Sequence, residues 1–268
     1  MKFKPTFLLL ALAIAFSFTA CKQNVQQAPQ PRNSDNGLLM AVLYTYYAAE
    51  YEALCYQAFN IGKERLTDIR KAVPASTKLA VVVDIDETVL DNSPSEAKLI
   101  LDNKNYNDED WNKWCAMATA EAVPGSVEFL KFADSLGFTI FYVSNRKDQF
   151  TREGTIQNLI NQGFPQINEE QILLRTAERD KEARRLKISE NHEIVMLVGD
   201  NIGDFYEDTT DFSIREETML SNKNNFGKKY LVLPNPMYGD WMKAIHLSGN
   251  ENTVDSLLNL MVTRHHSN

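Results

Sequence analysis

Short apolar runs alternate with helical patterns along most of the chain. The apolar runs, several of them β-branched, cover residues 79–83, 138–143, 171–174, 194–198 and 230–233. Helical spacing of apolar positions covers residues 126–136, 151–161 and 178–188. This alternation predicts an α/β fold of the Rossmann-like kind, with a parallel sheet covered by helices on both faces. Ligands bind at the carboxyl ends of the strands in such sheets.

Two further segments complete the predicted domain. Residues 38–70 form a long helical pattern without proline, in which Gly62 is the expected break. Cys55 is predicted to be a buried small hydrophobe of this helix, and the sequence leaves open whether it pairs with Cys115. Residues 91–124 carry no strand pattern. Because they follow the first strand, they are predicted to form a small, mainly helical cap over its carboxyl end.

The N-terminus reads as an export signal. Lys2 and Lys4 precede an apolar run over residues 7–18, which is too short to span a bilayer comfortably. Residues 1–20 are therefore predicted to be a signal peptide. The end of the run resembles a bacterial lipobox, which implies that Cys21 is acylated and becomes the mature N-terminus. Several acyl chains on one residue would anchor the protein stably.

The segment that begins at Cys21 is predicted to be a flexible tether. Residues 21–37 are rich in Gln, Asn, Pro and Ser and bury too little apolar surface to fold. The folded domain is then expected over residues 38–268. Lys22 follows the cysteine, which by resemblance to bacterial sorting rules favours the outer membrane. The expected location is the bacterial cell envelope.

Charge and composition narrow the partners. The chain has 268 residues, 44% of them hydrophobic, which is enough for one sizeable core. A net charge of −8 argues against nucleic acid as a partner, because no basic face is available to displace phosphate counterions. A small phosphorylated substrate stays open, since one metal ion can reverse the local field. The cysteines and histidines show no spacing typical of a zinc site.

Acidic residues follow two of the predicted strands. Asp84 and Asp86 come after the run 79–83, and Asp200 and Asp204 come after the run 194–198. Either pair alone is equally consistent with helix caps or turns. Both pairs together would place like charges at one sheet edge, which is costly unless a cation joins them. Hard oxygen ligands favour Mg²⁺.

These motifs resemble those of haloacid dehalogenase-like phosphatases. The signature is Asp84-x-Asp86-x-Thr88, and Gly199-Asp200-x-x-x-Asp204 is similar to the final motif of that superfamily. Ser144 and Lys181 stand where the superfamily has a hydroxyl residue and a lysine. More narrowly, the chain resembles the class C acid phosphatases, the bacterial lipoprotein 5′-nucleotidase family, from about residue 38 to residue 241.

The resemblance implies a role for each motif residue. Asp84 would attack phosphorus and form an aspartyl-phosphate, and Asp86 would act as acid and then as base. Asp84, the main-chain carbonyl of Asp86 and Asp200 would bind Mg²⁺. Asp204 would act through a bound water or by holding Lys181.

The remaining site residues would contact the substrate. By resemblance, Ser144 and Lys181 would bind the phosphoryl oxygens, with Asn145 beside them, and Thr88 would either bind the phosphoryl group or cap the turn. Trp111 and Tyr238 would stack on the leaving group, often a nucleobase. A core role is the alternative for Trp111 and, with more weight, for Trp114.

The expected function is therefore an exported, Mg²⁺-dependent acid phosphatase acting on small phosphomonoesters, with nucleoside 5′-monophosphates as the expected substrates. Two alternatives stay open: a phosphotransferase on the same fold, and a non-catalytic binding lipoprotein. Intact Asp84, Asp86 and Asp200 argue against the second. The sequence leaves the physiological substrate, the pH optimum and the oligomeric state open.

Overall fold

The computed structural model describes residues 36–207, 211–247, 258–259 and 261–262. The strands are β1 Leu79–Val83, β2 Leu90–Asp91, β3 Glu121–Ala122, β4 Thr139–Lys147, β5 Ile172–Arg175, β6 Glu193–Gly199 and β7 Tyr230–Val232. The helices are α1 Asn36–Tyr47, α2 Ala49–Ala72, α3 Ser93–Asp102, α4 Asp108–Met117, α5 Ser126–Ser135, α6 Asp148–Gln162, α7 Glu182–Ser189, α8 Phe212–Asn222 and α9 Asp240–Leu247.

Five strands form one parallel sheet in the order β5-β4-β1-β6-β7. The central strand, β1, is buried along its whole length. Val81 and Val83 face the larger hydrophobic cluster, whereas Ala80 and Val82 face a second cluster on the other side of the sheet. A strand buried on both faces has to be apolar throughout, which is why β1 reads as a continuous run. The predicted α/β fold is confirmed.

The five predicted strands of this sheet are all present, but several strand and helix ends differ from the predicted ones. Strand β4 continues four residues past the predicted end, to Lys147, and so carries its polar residues within the strand. Helix α7 begins at Glu182 and not at residue 178. The main-chain N–H of Glu182 donates to Asp180 Oδ1 at 2.6 Å, so a polar turn precedes the helix. Strand β7 ends at Val232, one residue before the predicted end.

The N-terminal helical pattern forms two helices. The break lies at Ala48, whose backbone is extended with φ −84° and ψ 123°. Gly62 lies inside α2, so the expected break there was wrong. A Cβ at Gly62 would lie 2.6 Å from Leu231 Cδ1 and 2.7 Å from Phe129 Cε2. Glycine at this position therefore lets α2 approach the sheet and α5 closely.

Helices α3 and α4 lie in the segment predicted to be a cap, and α4 is called the cap helix below. The prediction of no strand in this segment was wrong at its edges, because β2 and β3 pair antiparallel and close its base. Helix α4 lies against α6 at Gly154, where a Cβ would come 2.2 Å from the main-chain oxygen of Cys115. That backbone-to-backbone approach holds the cap helix directly on the core.

Cys55 and Cys115 are both buried and free, so the structure contains no disulfide between them. Burial raises the pKa of each thiol to about 12. Among the helices of the described residues, none has the length and apolarity needed to cross a membrane. The predicted signal peptide, Cys21 and nearly all of the predicted tether lie outside the described residues.

Candidate active site

Three acidic side chains converge at the carboxyl edge of the sheet. Asp84 directly follows β1, and its N–H donates to Val198 O of the neighbouring β6 at 2.9 Å. Asp200 directly follows β6. Asp84, Asp200 and Asp204 each offer a carboxylate oxygen within 4.8 Å of the others. The sequence prediction that these two strand ends form one site agrees with this placement.

Lys181 is the cation inside this cluster. Its buried ammonium donates to Asp84 Oδ1 and to Asp204 Oδ1, the second at 2.6 Å. Burial alone would lower the pKa of Lys181, but the charges of Asp204 and Asp84 outweigh it and hold that pKa above its usual value. Lys181 is therefore a fixed positive charge at neutral pH. It reaches the site from the turn just before α7.

One ammonium does not compensate three carboxylates. Burial raises the pKa of Asp84, against the charge of Lys181 and together with the charge of Asp204. Burial also raises the pKa of Asp200, with the charges of Asp204 and Asp84 adding to it. Oxygen ligands with this excess negative charge suit a hard divalent cation, which would relieve the repulsion. The donor set thus fits a divalent metal ion.

Asp204 is held on both carboxylate oxygens. Its Oδ1 accepts from Lys181, and its Oδ2 accepts from the N–H of Asn201 at 2.9 Å. The side chain lies over Gly199, where a Cβ would come 2.2 Å from Asp204 Oδ2. Only glycine leaves room for this arrangement. Asp204 therefore holds Lys181, as one of the two roles expected for it requires.

A tight turn brings Asp86 back toward the sheet. Glu87 occupies the left-handed region with φ 55°, and Leu90 N–H donates to Ile85 O at 2.9 Å. The fully buried Glu87 carboxyl accepts from the N–H of Asn92 at 2.8 Å. Burial raises the pKa of Glu87 well above its usual range. These bonds offset the backbone strain of a non-glycine residue in this region.

Two hydroxyl residues contact the acids. Ser144 Oγ lies 3.1 Å from Asp86 Oδ2 and donates to it. Thr88 Oγ1 donates to Asp200 Oδ1 at 3.4 Å and is fully buried. Asn235 Nδ2 donates to the other oxygen, Asp200 Oδ2, at 2.8 Å. Thr88 and Asn235 therefore orient Asp200 from two sides.

Asn145 and the predicted aromatic contacts lie at the rim. Asn145 Oδ1 accepts from Arg184 Nη2 at 2.7 Å. Trp111, on α4, is half-buried and faces Arg146, whose guanidinium carbon is 5.5 Å from the indole centroid. Tyr238 is also half-buried, and its N–H donates to Asn235 Oδ1 at 3.4 Å. Tyr238 thus lies one residue, Asn235, away from Asp200, and Trp111 lies one residue, Arg146, away from Asp86.

Trp114 has a packing role. Its side chain lies against the larger hydrophobic cluster. Its indole N–H donates to Asn92 Oδ1 at 2.8 Å. The alternative that the sequence left open, a core role, applies to Trp114.

Sequence reasoning gave no role to four residues that the structure places around the site: Asn92, Arg146, Asn235 and Asp240. Asp240 is buried and accepts from Asn201 Nδ2 at 2.7 Å and from Arg179 Nη2 at 3.0 Å. It therefore joins the loop of Asp200 to the segment that carries Lys181. The available signal was position, because each lies within a few residues of a predicted site residue: Asn92 near Thr88, Arg146 near Ser144, and Asn235 and Asp240 near Tyr238.

Comparison with known proteins agrees with this geometry. Residues 11–241 match the model of the HAD superfamily, subfamily IIIB (acid phosphatase). A class C acid phosphatase from Bacillus anthracis is 39% identical, with a TM-score of 0.74 over 86% of this chain and 96% of that one. A tungstate-bound structure of the Bacillus anthracis class C acid phosphatase, also 39% identical, gives a TM-score of 0.76 over the same shares.

A curated plant relative extends the comparison. Acid phosphatase 1 of Solanum lycopersicum is 28% identical over 161 residues. The match covers 59% of this chain and spans 57% of the tomato protein's length. The family model covers most of the chain, including the loops that carry the acidic cluster and Lys181. The chain therefore belongs to the acid phosphatases of subfamily IIIB in the HAD superfamily, a family of phosphoric monoester hydrolases.

Proposed function

We propose that the protein is an exported, lipid-anchored acid phosphatase that depends on Mg²⁺ and hydrolyses nucleoside 5′-monophosphates through an aspartyl-phosphate. One observation carries the chemical part. Asp84, at the end of the central strand, is bonded to Lys181 and lies within 4.8 Å of carboxylate oxygens of Asp200 and Asp204. A nucleophile, a fixed cation and oxygen ligands at one point are what phosphoryl transfer requires.

The residues divide the reaction into two steps. The carboxylate of Asp84 attacks phosphorus while Asp86 gives a proton to the leaving oxygen, and the phosphorus–oxygen ester bond breaks. Asp86 then takes a proton from the water that attacks the aspartyl-phosphate. Inorganic phosphate leaves, and Asp84 is restored. Lys181 and the hydroxyl of Ser144 stabilise the phosphoryl oxygens throughout.

The metal site would use Asp84, Asp200 and the main-chain carbonyl of Asp86. When bound, Mg²⁺ supplies charge that removes the repulsion between Asp84 and the phosphate and stabilises the equatorial oxygens. Asp204 keeps Lys181 in place. Thr88 and Asn235 keep Asp200 in an orientation fit for ligation.

The substrate proposal rests on the rim. Trp111 and Tyr238 are half-buried aromatic side chains, Trp111 beside Arg146 and Tyr238 beside Asn235. Two rings can clamp a base by its faces without reading its edges, so a broad nucleotide range is expected. Tungstate, which is bound by the Bacillus anthracis relative, is a tetrahedral oxyanion like phosphate and supports an anion site in this family.

Turnover in a panel of phosphomonoesters tests the function. We expect phosphate release from nucleoside 5′-monophosphates to exceed release from simple sugar phosphates, because only the former offer a base to stack. EDTA is expected to abolish release, and Mg²⁺ added in excess to restore it. Phosphate and leaving group are quantified together. Transfer to an added sugar with little free phosphate would identify a phosphotransferase, and a folded protein without turnover would identify a binding lipoprotein.

The anchor is tested separately. In cells labelled with palmitate, we expect the wild-type protein to carry the label and to partition into detergent. Cys21→Ser is expected to lose both properties, because the acylated thiol is gone. Lys22→Ser is the neighbouring control and is expected to remain labelled. An unlabelled wild-type protein, or labelled Cys21→Ser, would contradict the proposed anchor.

A further inference from the structure

Arg146 is a completely buried charge beneath the site. Its side chain is 1% exposed, and it lies near the end of β4. Nε donates to Asp86 Oδ1 at 2.9 Å, and Nη2 lies 2.8 Å from the same oxygen. Nη1 donates to Thr155 Oγ1 at 3.0 Å, and Nη2 also donates to Asn92 Oδ1 at 3.3 Å. A buried guanidinium is tolerated only with partners such as these.

The two oxygens of Asp86 have different surroundings. Oδ1 accepts from Arg146 and from Asn92 Nδ2 at 3.0 Å. Oδ2 accepts from Ser144 Oγ at 3.1 Å. The donors on Oδ1 are a rigid planar fork and a buried amide, so that oxygen is fixed. The Ser144 hydroxyl, which donates to Oδ2, can instead rotate its proton toward a phosphoryl oxygen.

We propose that Arg146 is the positioning residue that orients Asp86 by holding Oδ1, so that Oδ2 is the oxygen that exchanges the proton. This inference rests on the proposed function, because it assigns geometry to the same acid. The proton passes from Oδ2 to the leaving oxygen as the ester bond breaks. Oδ2 then takes a proton from the water that attacks the aspartyl-phosphate. In this assignment Arg146 contacts neither the leaving oxygen nor the attacking water, and it acts through Asp86.

The same guanidinium ties the acid to the cap. Trp111 on α4 covers it with its indole at 5.5 Å, a cation–π contact. Asn92 accepts from both Arg146 and Trp114. The position of Asp86 is therefore set jointly by the sheet and by the cap helix. A variant at Arg146 should disturb the proton transfer more than the nucleophile, which has its own partner in Lys181.

Leaving-group dependence separates positioning from a structural role. We would measure kcat/KM of wild type, Arg146→Lys and Arg146→Met on phosphates of related aromatic alcohols whose leaving-group basicity rises from 4-nitrophenyl through phenyl to benzyl. kcat/KM reports events up to cleavage of the ester bond. 4-Nitrophenolate is a stable anion that leaves without being protonated, whereas the benzyl alcohol oxygen must be protonated as it leaves. We expect a loss of about 10²-fold or more on benzyl phosphate and only a few-fold on 4-nitrophenyl phosphate.

Arg152→Met is the matched control. Arg152 lies on α6 and bonds Asp148 and Glu169, away from Asp86. Arg152→Met is expected to keep the wild-type dependence of kcat/KM on the leaving group. Equal losses on all three substrates for the Arg146 variants, or no loss, would overturn the inference while leaving the proposed function standing. Absence of turnover in the wild type would overturn the proposed function itself.

Folding is checked by thermal melting of each variant. If neither Arg146 variant folds, Thr155→Val serves instead, because it removes the acceptor of Nη1 at nearly constant volume and leaves Arg146 in place. We expect Thr155→Val to lose more kcat/KM on benzyl phosphate than on 4-nitrophenyl phosphate, but by a smaller factor than the Arg146 variants. An unchanged dependence in a folded Thr155→Val protein would overturn the inference.

Discussion

Asp84→Asn is expected to lower kcat by about 10⁴-fold or more while the protein stays folded. An amide is a poor nucleophile toward phosphorus, but its oxygen can still accept the bond from Lys181 that the carboxylate accepts. Phosphate release and thermal melting are measured on the same preparation. The expected pattern is a lost rate with a retained cooperative melt.

Asp68→Asn is the control for Asp84→Asn. Asp68 is exposed on α2, so the same chemical change there should leave both rate and melting unchanged. A rate within tenfold of wild type for Asp84→Asn would mean that another group attacks phosphorus. A second readout supports the assignment: after a rapid acid quench during turnover, wild type should carry acid-stable radiolabel from ³²P-substrate, and Asp84→Asn should carry none.

Lys181→Met is expected to affect both rate and stability. The variant removes a phosphoryl-binding cation, which should lower kcat by about 10²-fold or more. It also leaves Asp84 and Asp204 buried without their ammonium, which should lower the free energy of unfolding by about 3 kcal/mol. Chemical denaturation without added metal measures the second effect.

The double variant Lys181→Met with Asp204→Asn isolates the electrostatic cause. Neutralising Asp204 removes one uncompensated charge, so stability should recover in part while activity stays low. Lys187→Met is the control, because Lys187 is exposed on α7, the helix that directly follows Lys181. If Lys181→Met melts like Lys187→Met, the buried ion pairs do not stabilise the fold as described.

Much of the sheet could be predicted because a doubly buried strand leaves little choice of residue. Strand β1 was predicted with its observed bounds, and the acids after β1 and β6 were predicted to meet. The break at Ala48 could not be predicted. It lies next to Ala49 in a sequence that favours continuous helix, so helix propensity gives no sign of it. The pairing of β2 with β3 involves two residues on each strand, too few to show an alternating pattern.

The role of Arg146 could not be predicted from the sequence, for a different reason. A charged residue near a strand end is usually solvated, and its burial depends on a turn at Glu87 that returns Asp86 to the sheet. Left-handed backbone at a glutamate has no sequence signal comparable to glycine. The partner of Arg146 is sixty residues away in the chain and meets it only after folding.

The contact of α4 with α6 at Gly154 bears on how specificity could change in this lineage. A cap helix seated backbone-on-backbone against the core is not free to swing as a gate. Under the proposed function, the leaving alcohol would therefore meet a fixed surface at the mouth of the site. New preferences would arise by exchanging the few side chains at the mouth, while the phosphate chemistry behind them stays untouched.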